Sequence, residues 1–301
     1  MPIFTGGIIN YGQRTSNPTS PTPTEGSQYW HTNDNTQYIY DGTTWNPVKV
    51  TLPWENDNTV THWWKSEGIQ SATAWNAETG GQNFGTTSMV TNNLVYTASD
   101  SNFNNNKTIS FNEAGDANAS GMSVASADYW HGSDTAFSVA IVMRKTDHNS
   151  GTSLGDGLFT QVYNNATEGG WSVDISGDHT WGGQYGEQIG GISGYNSPSD
   201  YSTPKKGIFC FRCGANGASS EYKWCPSGSS SFTNLATSGS APSSLPTNNY
   251  TRLTIGNFYD TTSSNHEWSG TIAEIAYWKN LRVDDEELGR FLTYAKTKFN
   301  M

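Results

Sequence analysis

The chain has 301 residues, of which 14% are charged and 34% are hydrophobic, and its formal net charge is −11. The remainder is rich in Asn, Thr, Ser and Gly, and 13% of the residues are aromatic, a composition that favours short strands joined by long turns and argues against a helical bundle and against global disorder. The acidic balance also argues against nucleic acid and anionic lipid as partners, because both carry negative charge.

Residues 1–50 differ from the rest in composition and residue pattern and are predicted to form a separate module. The segment 17–24 contains three prolines and is therefore expected to be extended, in part as polyproline II. Three runs after it alternate with the period of a strand, and the turn signals at 33–35 and 41–42 separate them. This pattern predicts a small three-stranded β-meander over 28–32, 36–40 and 43–48.

So short a sheet can hardly bury a core of its own, so we expect the module to pack on something else: its own C-terminal domain, a symmetry mate or a larger particle. Its aromatic side chains are the candidate attachment residues. They are Trp30, Tyr38, Tyr40 and Trp45.

Residues 51–301 have a uniform composition and residue pattern and are predicted to form a single all-β domain. Short strands recur at regular spacing between loops rich in Gly, Asn and Ser, which is typical of a sandwich or barrel. The predicted strands are 94–97, 107–111, 136–144, 157–163, 170–175, 207–213, 221–225, 250–258 and 269–279.

One helix is predicted at the C-terminal end, over 284–299. Asp284 suits the N-cap position, and Glu287 three residues later suits a capping box. An apolar stripe at helical spacing is expected to dock on the sandwich. It consists of Leu288, Phe291, Leu292, Ala295 and Phe299.

Two segments carry a resemblance to known families. The ending WSGTIAEIAYWKNLRVDDEELGRFLTYAKTKF resembles the last hairpin and closing helix of concanavalin A-like (LamG-type) jelly-roll domains, and HWWKSEGI, ATAWNAETGGQNF, NNKTISF and AFSVAIVMR match their opening strands in order. The N-terminal stretch PTEGSQYWHTNDNTQYIYDGTTWNPV is similar to a short module of bacteriophage virion proteins. The resemblances imply a jelly-roll β-sandwich with a short C-terminal helix behind a small β-meander. The jelly-roll family includes lectins, glucanases and passive spacers, so its fold alone does not settle function.

No catalytic set is apparent in the sequence. Glu274 has no acidic partner two or four residues on, as a retaining glucanase strand of this fold class would require. Gly177 interrupts the pair Asp174 and Asp178, and the elbow-like 151–155 stands between a polar stretch and a strand rather than between a strand and a helix. We therefore expect no enzymatic activity.

Metal sites are not indicated either. Asp100, Asn102 and Asn104 share the opening of a calcium loop, but positions six and twelve of the motif are wrong. Calcium elsewhere in a jelly roll stays open, with no ligand set identified and no other cofactor expected. Cys210, Cys213 and Cys225 cannot close a disulfide framework and are expected to be buried or free thiols.

The segment 169–202 is the candidate binding loop, because flat aromatic rings among glycines can stack on the apolar faces of sugars. Its candidate glycan-binding residues are Trp171, Trp181, Tyr185, Tyr195 and Tyr201. The alternatives are that Trp171 is a core residue of a strand and that Trp181 only packs within a loop.

The leading hypothesis is a non-enzymatic structural protein of a phage particle, such as a tail fibre or capsid decoration. It would be made in the host cytoplasm and displayed on the virion surface. Residues 1–50 would bind other virion proteins or form a homo-oligomer, and the sandwich would bind host glycans. No apolar run is long enough to cross a membrane, and the first residues show no secretion signal. The alternatives are a glycan-degrading, tailspike-like hydrolase and a bacterial carbohydrate-binding adhesion module.

Overall fold

The computed structural model divides the chain into two compact units, Met1–Asn56 and Asp57–Met301. This division falls close to the boundary predicted at residue 50. The residues that the structure describes are 3–5, 8–31, 36–48, 59–85, 94–111, 121–125, 136–145, 156–163, 171–175, 181–185, 189–192, 205–214, 220–238, 250–256 and 268–301.

The N-terminal unit is a five-stranded sheet, which we call sheet A, in the order β1-β2-β3-β4-β5. The three predicted strands are present as β3 to β5, and two further strands precede them, so the prediction of a three-stranded meander was incomplete. The strand β2 pairs with β3 in parallel, which a meander does not do. The strands are β1 (Ile3–Thr5), β2 (Ile8–Arg14), β3 (Gln28–His31), β4 (Thr36–Tyr40) and β5 (Trp45–Val48).

Aromatic rings and the proline-rich segment hold this unit together. Tyr11 and Tyr29 are buried, and the ring of Trp45 meets that of Tyr29 edge-on with centroids 4.9 Å apart. The indole N–H of Trp45 donates to the carbonyl oxygen of Pro18 over 3.3 Å, and the Tyr29 hydroxyl donates to Oδ1 of Asn17 over 2.5 Å. The extended segment between β2 and β3 therefore lies against the aromatic cluster and satisfies its polar groups.

The turn between β4 and β5 is built on Asp41. Its carboxylate accepts hydrogen bonds from the backbone N–H groups of Thr43 (2.8 Å) and Thr44 (2.7 Å) and from Nδ2 of Asn46 (2.7 Å). These donors hold the pKa of Asp41 well below its usual range. Gly42 has a φ of +98°, a backbone angle that residues other than glycine rarely adopt. The turn itself therefore requires the Asp-Gly pair.

We predict that Asp41→Ala opens this turn, because Thr43 and Thr44 lose the acceptor for their amides. Hydrogen exchange at those two amides should speed up strongly. In Asp41→Asn, which keeps one acceptor oxygen, the increase should be smaller. The wild-type turn should also loosen in acid as Asp41 protonates, because a lowered pKa stabilises the folded form only while the carboxylate is charged. Unchanged exchange rates in Asp41→Ala would contradict the assignment.

The second unit contains seventeen strands and one helix among the described residues. The first strands are β6 (His62–Trp64), β7 (Ile69–Ser71), β8 (Ala74–Trp75), β9 (Phe84–Gly85), β10 (Leu94–Asp100), β11 (Asn106–Phe111), β12 (Met122–Ala125), β13 (Phe137–Lys145) and β14 (Asp156–Tyr163). They are followed by β15 (Trp171–Ile175), β16 (Trp181–Tyr185), β17 (Ile189–Ile192), β18 (Lys205–Cys213), β19 (Ser220–Pro226), β20 (Thr233–Ser238), β21 (Tyr250–Ile255), β22 (Gly270–Lys279) and the helix α1 (Asp285–Phe299).

These strands form two antiparallel sheets. Sheet B has the order β10-β11-β22-β13-β18-β19-β20, with β6 also pairing with β22, and sheet C has the order β17-β16-β15-β14-β21-β12-β9-β8-β7. Large side chains from both sheets pack in one shared core. For example, the ring centroid of Phe159 on β14 lies 5.8 Å from that of Tyr277 on β22. The predicted all-β sandwich with one C-terminal helix is therefore confirmed.

The helix α1 covers the other face of sheet B, which we call the outer face. Asp284 caps it by accepting from the Glu287 N–H over 2.8 Å, and the five residues of the predicted apolar stripe are buried. The capping box is incomplete, since the Glu287 carboxylate accepts from the Thr59 hydroxyl (2.8 Å) and from the Arg290 guanidinium. Among the described residues, no helix is long and apolar enough to cross a membrane.

All nine predicted strands of this unit are present, but the reading of 169–202 as a loop was wrong. The three strands β15 to β17 lie within it. Glycines at four of the nine positions of β16 and β17 hide the alternation that marks a strand. Alternation did not reveal the two- and three-residue strands β6 to β9, because so few residues show no period, although the resemblance placed opening strands in that part of the chain. The strands β12 and β20 were missed.

Candidate functional site

The described residue with the chemistry closest to a catalytic group is Glu274. It lies on the outer face of β22, where α1 covers the sheet, and none of its side chain is exposed. Its carboxylate accepts hydrogen bonds from Nε1 of Trp63 and from Nζ of Lys298, each over 2.7 Å. Burial raises the pKa of Glu274, while these partners favour its charged form.

A second carboxylate meets the same ammonium. Nζ of Lys298 also lies 2.8 Å from Oε2 of Glu67 and 2.9 Å from the hydroxyl of Tyr294. Two carboxylates that share one ammonium are close neighbours, as are the acid and nucleophile of a retaining glycosidase, whose carboxyl groups lie about 5–5.5 Å apart. We call Trp63, Glu67, Glu274, Tyr294 and Lys298 the Lys298 cluster.

The Lys298 cluster is nevertheless closed to a substrate. The ammonium occupies the space between the carboxylates, and Glu274 is shielded completely. Nζ of Lys65 lies 4.2 Å from the centroid of the Trp63 ring, and the ring of Tyr294 meets Trp63 at 5.6 Å, so the cluster is packed on these sides. Its role is to fasten the last turn of α1 to β22, β6 and the 3₁₀ turn at Ser66–Gly68.

Sequence reasoning found Glu274 but missed Glu67 and Lys298 as its companions. A search for acidic partners two and four positions away follows the geometry of one strand. The actual partners come from a 3₁₀ turn and from the C-terminal helix. No short motif links them, so only the tertiary structure brings them together.

We predict that Lys298→Met destabilises the second unit by about 3–5 kcal/mol, because it leaves the buried charge of Glu274 uncompensated. The free energy of unfolding in urea measures this. The double variant Glu274→Gln, Lys298→Met should recover part of the loss. The destabilisation caused by Lys298→Met should also become smaller as the pH falls from neutral. The pKa of Glu274 is raised in the folded state, so at lower pH its carboxylate takes up a proton and no longer leaves a buried charge. A cost that is small, or constant with pH, would contradict this role.

Three of the five predicted platform residues lie on two strands of sheet C. Trp171 lies on β15 and pairs with Tyr185 of β16, and Trp181 of β16 pairs with Ile175. Their glycan-binding role stays a prediction, and Tyr195 and Tyr201 lie outside the described residues.

The predicted attachment residues largely belong to the N-terminal unit's own aromatic cluster. The ring of Tyr38 stacks on that of Tyr29 with centroids 5.2 Å apart, and the ring of Tyr40 lies 5.2 Å from that of Trp45. Internal packing thus accounts for Tyr38, Tyr40 and Trp45 without a partner. Trp30 lies on β3, and its side chain is outside the described part. The attachment role of this unit stays a prediction.

Asp100 and its neighbours form a short turn. Oδ1 of Asp100 accepts from the backbone N–H of Asn102 over 2.9 Å and so caps the 3₁₀ turn at Ser101–Phe103. Within the described ranges, no group of three His, Cys, Asp or Glu side chains is arranged to hold a metal ion.

The three cysteines are free and buried, as predicted. Cys213 belongs to the core between the sheets, while Cys210 lies on the opposite face of β18, where burial raises its pKa to about 12. Burial likewise raises the pKa of Cys225. Because the thiolate is the reactive form, these thiols are chemically quiet in the folded protein.

We predict that the cysteine thiols of the native protein do not react rapidly with a chromogenic disulfide reagent at mildly alkaline pH. All three thiols should react once urea unfolds the chain. Fast reaction of any thiol in the native state would contradict the burial of the cysteines.

Comparison with solved structures places this fold beside glycoside hydrolases. The Trypanosoma rangeli sialidase in complex with sialic acid matches at 11% identity and a TM-score of 0.53, over 91% of this chain and 44% of the sialidase. Its complex with 2,3-difluorosialic acid matches at 10% and 0.51, over 90% and 44%. An arabinofuranosidase complexed with arabinofuranosyl-α-1,2-xylobiose matches at 13% and 0.50, over 92% and 58%.

At these identities the likeness concerns the fold, and this chain spans less than two thirds of the length of each matched enzyme. No protein-family model and no curated protein matches the chain. The comparisons correct the leading hypothesis of a structural protein on a virion surface, because the matched structures are sialidases and an arabinofuranosidase.

Proposed function

We propose that this chain is a carbohydrate-binding β-sandwich protein that does not hydrolyse its ligand. The observation that carries the proposal is the fold shared with part of the sialidase and of the arabinofuranosidase, both of which act on sugars. A fold by itself hosts many functions, so the choice between binding and hydrolysis rests on the side chains.

The side chains favour binding. Among the described residues, the neighbouring carboxylates Glu67 and Glu274 are held by Lys298, and Glu274 cannot be reached from solvent. A general acid must reach the glycosidic oxygen, which this arrangement prevents. Binding needs only a rigid scaffold with apolar and hydrogen-bonding groups on its surface, which a sandwich supplies.

The test is binding of the full-length protein to an array of polysaccharides, with an assay for released reducing ends on every polysaccharide bound. We expect selective binding without release of reducing ends. Release of reducing ends would show that the hydrolase alternative is correct. Absence of binding to every polysaccharide would refute the proposal.

Trp181→Ala tests the predicted platform. If Trp181 stacks on a sugar ring, its removal should weaken binding about tenfold, the effect of losing one aromatic contact, with the thermal midpoint unchanged. Trp45→Ala removes the same side chain from the other unit and should leave binding unchanged. Full binding by Trp181→Ala would reject the platform but not the function. A lowered thermal midpoint would instead assign Trp181 to the core.

A further inference from the structure

The outer face of sheet B carries a row of side chains beside the C-terminal end of α1 that none of the roles above uses. Its members are directly opposite one another on adjacent strands, since Ser110 pairs with both Val95 and Thr271, and Arg144 pairs with both Thr271 and Lys206. At about 4.8 Å between strands, the row extends over roughly 19 Å. We call it the outer row: Val95, Ser110, Thr271, Arg144 and Lys206.

The basic end of the outer row brings like charges together. Arg144 lies directly opposite Lys206 on the outer face. Like charges directly opposite on neighbouring strands destabilise a sheet. The chain has only 16 basic residues against 27 acidic ones, so two cations directly opposite each other on neighbouring strands are a local departure from its acidic character. A bound anion would offset the repulsion.

The two cations of the outer row differ in how they are engaged. The ammonium of Lys206 donates to the carbonyl oxygens of Asn102 (2.6 Å), Phe299 (3.2 Å) and Asn300 (2.9 Å), so it fastens the end of α1. Arg144 is half-buried, and its guanidinium has no hydrogen-bond or ion-pair partner in the described part of the chain. A guanidinium prefers to engage a planar anion through two parallel hydrogen bonds.

The rest of the outer row has the chemistry of a sugar contact. The half-buried Ser110 hydroxyl lies 2.9 Å from the hydroxyl of Thr271, which is buried and stands between Ser110 and Arg144 in the row. At the far end Val95 is 48% exposed, which is unusual for an apolar side chain of this protein. Hydroxyls can exchange hydrogen bonds with a sugar, and an aliphatic side chain can pack on its C–H face.

We propose that the outer row is a glycan-binding site in which Arg144 binds the carboxylate of an acidic sugar. The inference rests on the proposed carbohydrate-binding function and narrows it to polysaccharides that carry carboxylates. Ser110 and Val95 contact the adjoining sugar, and Lys206 keeps the site positive while it holds the helix end.

The experiment compares binding of the full-length protein to polygalacturonate and alginate, before and after chemical reduction of their carboxyl groups, with dextran and dextran sulfate alongside. We expect reduction to weaken binding at least about tenfold, the loss of one charge-assisted contact. Arg144→Gln should bind the acidic polysaccharides as weakly as the wild type binds the reduced ones. Arg14→Gln removes an equal charge from the N-terminal unit and should change nothing.

Several outcomes would overturn the inference. They are equal binding before and after reduction, full binding by Arg144→Gln, an equal loss in Arg14→Gln, and binding of dextran sulfate as tight as that of the uronates. Binding to neutral polysaccharides alone would also overturn it, while leaving the proposed carbohydrate-binding function in place. Absence of binding to any polysaccharide would overturn both.

Discussion

The ion pair between Lys298 and the buried Glu274 is the contact on which the arrangement of the sandwich depends. The strand β22 is covered on one face by sheet C and on the other by α1, so a carboxylate at its centre has no access to water. Burying such a charge is tolerable only with a partner and with filled hydrogen-bonding positions. Lys298 and Trp63 supply both, and the last turn of α1 is thereby fixed on the sheet.

This use of charge also limits the chemistry of the protein. Glu67 and Glu274 are close enough to suggest a catalytic pair, but the single ammonium of Lys298 contacts both carboxylates and lies between them. Among the described residues, the faces of the sheets offer further candidate surfaces. The outer row of sheet B is one of them, where the cover provided by α1 ends and Arg144 stands beside two hydroxyls.

The small core of the N-terminal unit is stabilised by different side chains from those of the sandwich. Its sheet buries few aliphatic side chains among the described residues and relies on aromatic rings, which contribute a large area each. The polar ends of Tyr29 and Trp45 are satisfied by the proline-rich segment. The same rings that suggested an attachment surface are thus explained in large part by the internal packing of the unit.

The sequence by itself determined the elements whose signal is local. Alternation and apolar runs specified most of the long strands, though not β2 or β20, and the cap at Asp284 with its apolar stripe specified α1. The tertiary structure alone decided which elements meet. Glycine-rich β16 and β17 and the shortest strands exist because neighbouring strands supply their hydrogen bonds. Glu67, Glu274 and Lys298 come together, and Arg144 stands between Thr271 and Lys206, because of sheet order and helix docking. Such pairings depend on contacts between distant parts of the chain, which no short sequence pattern encodes.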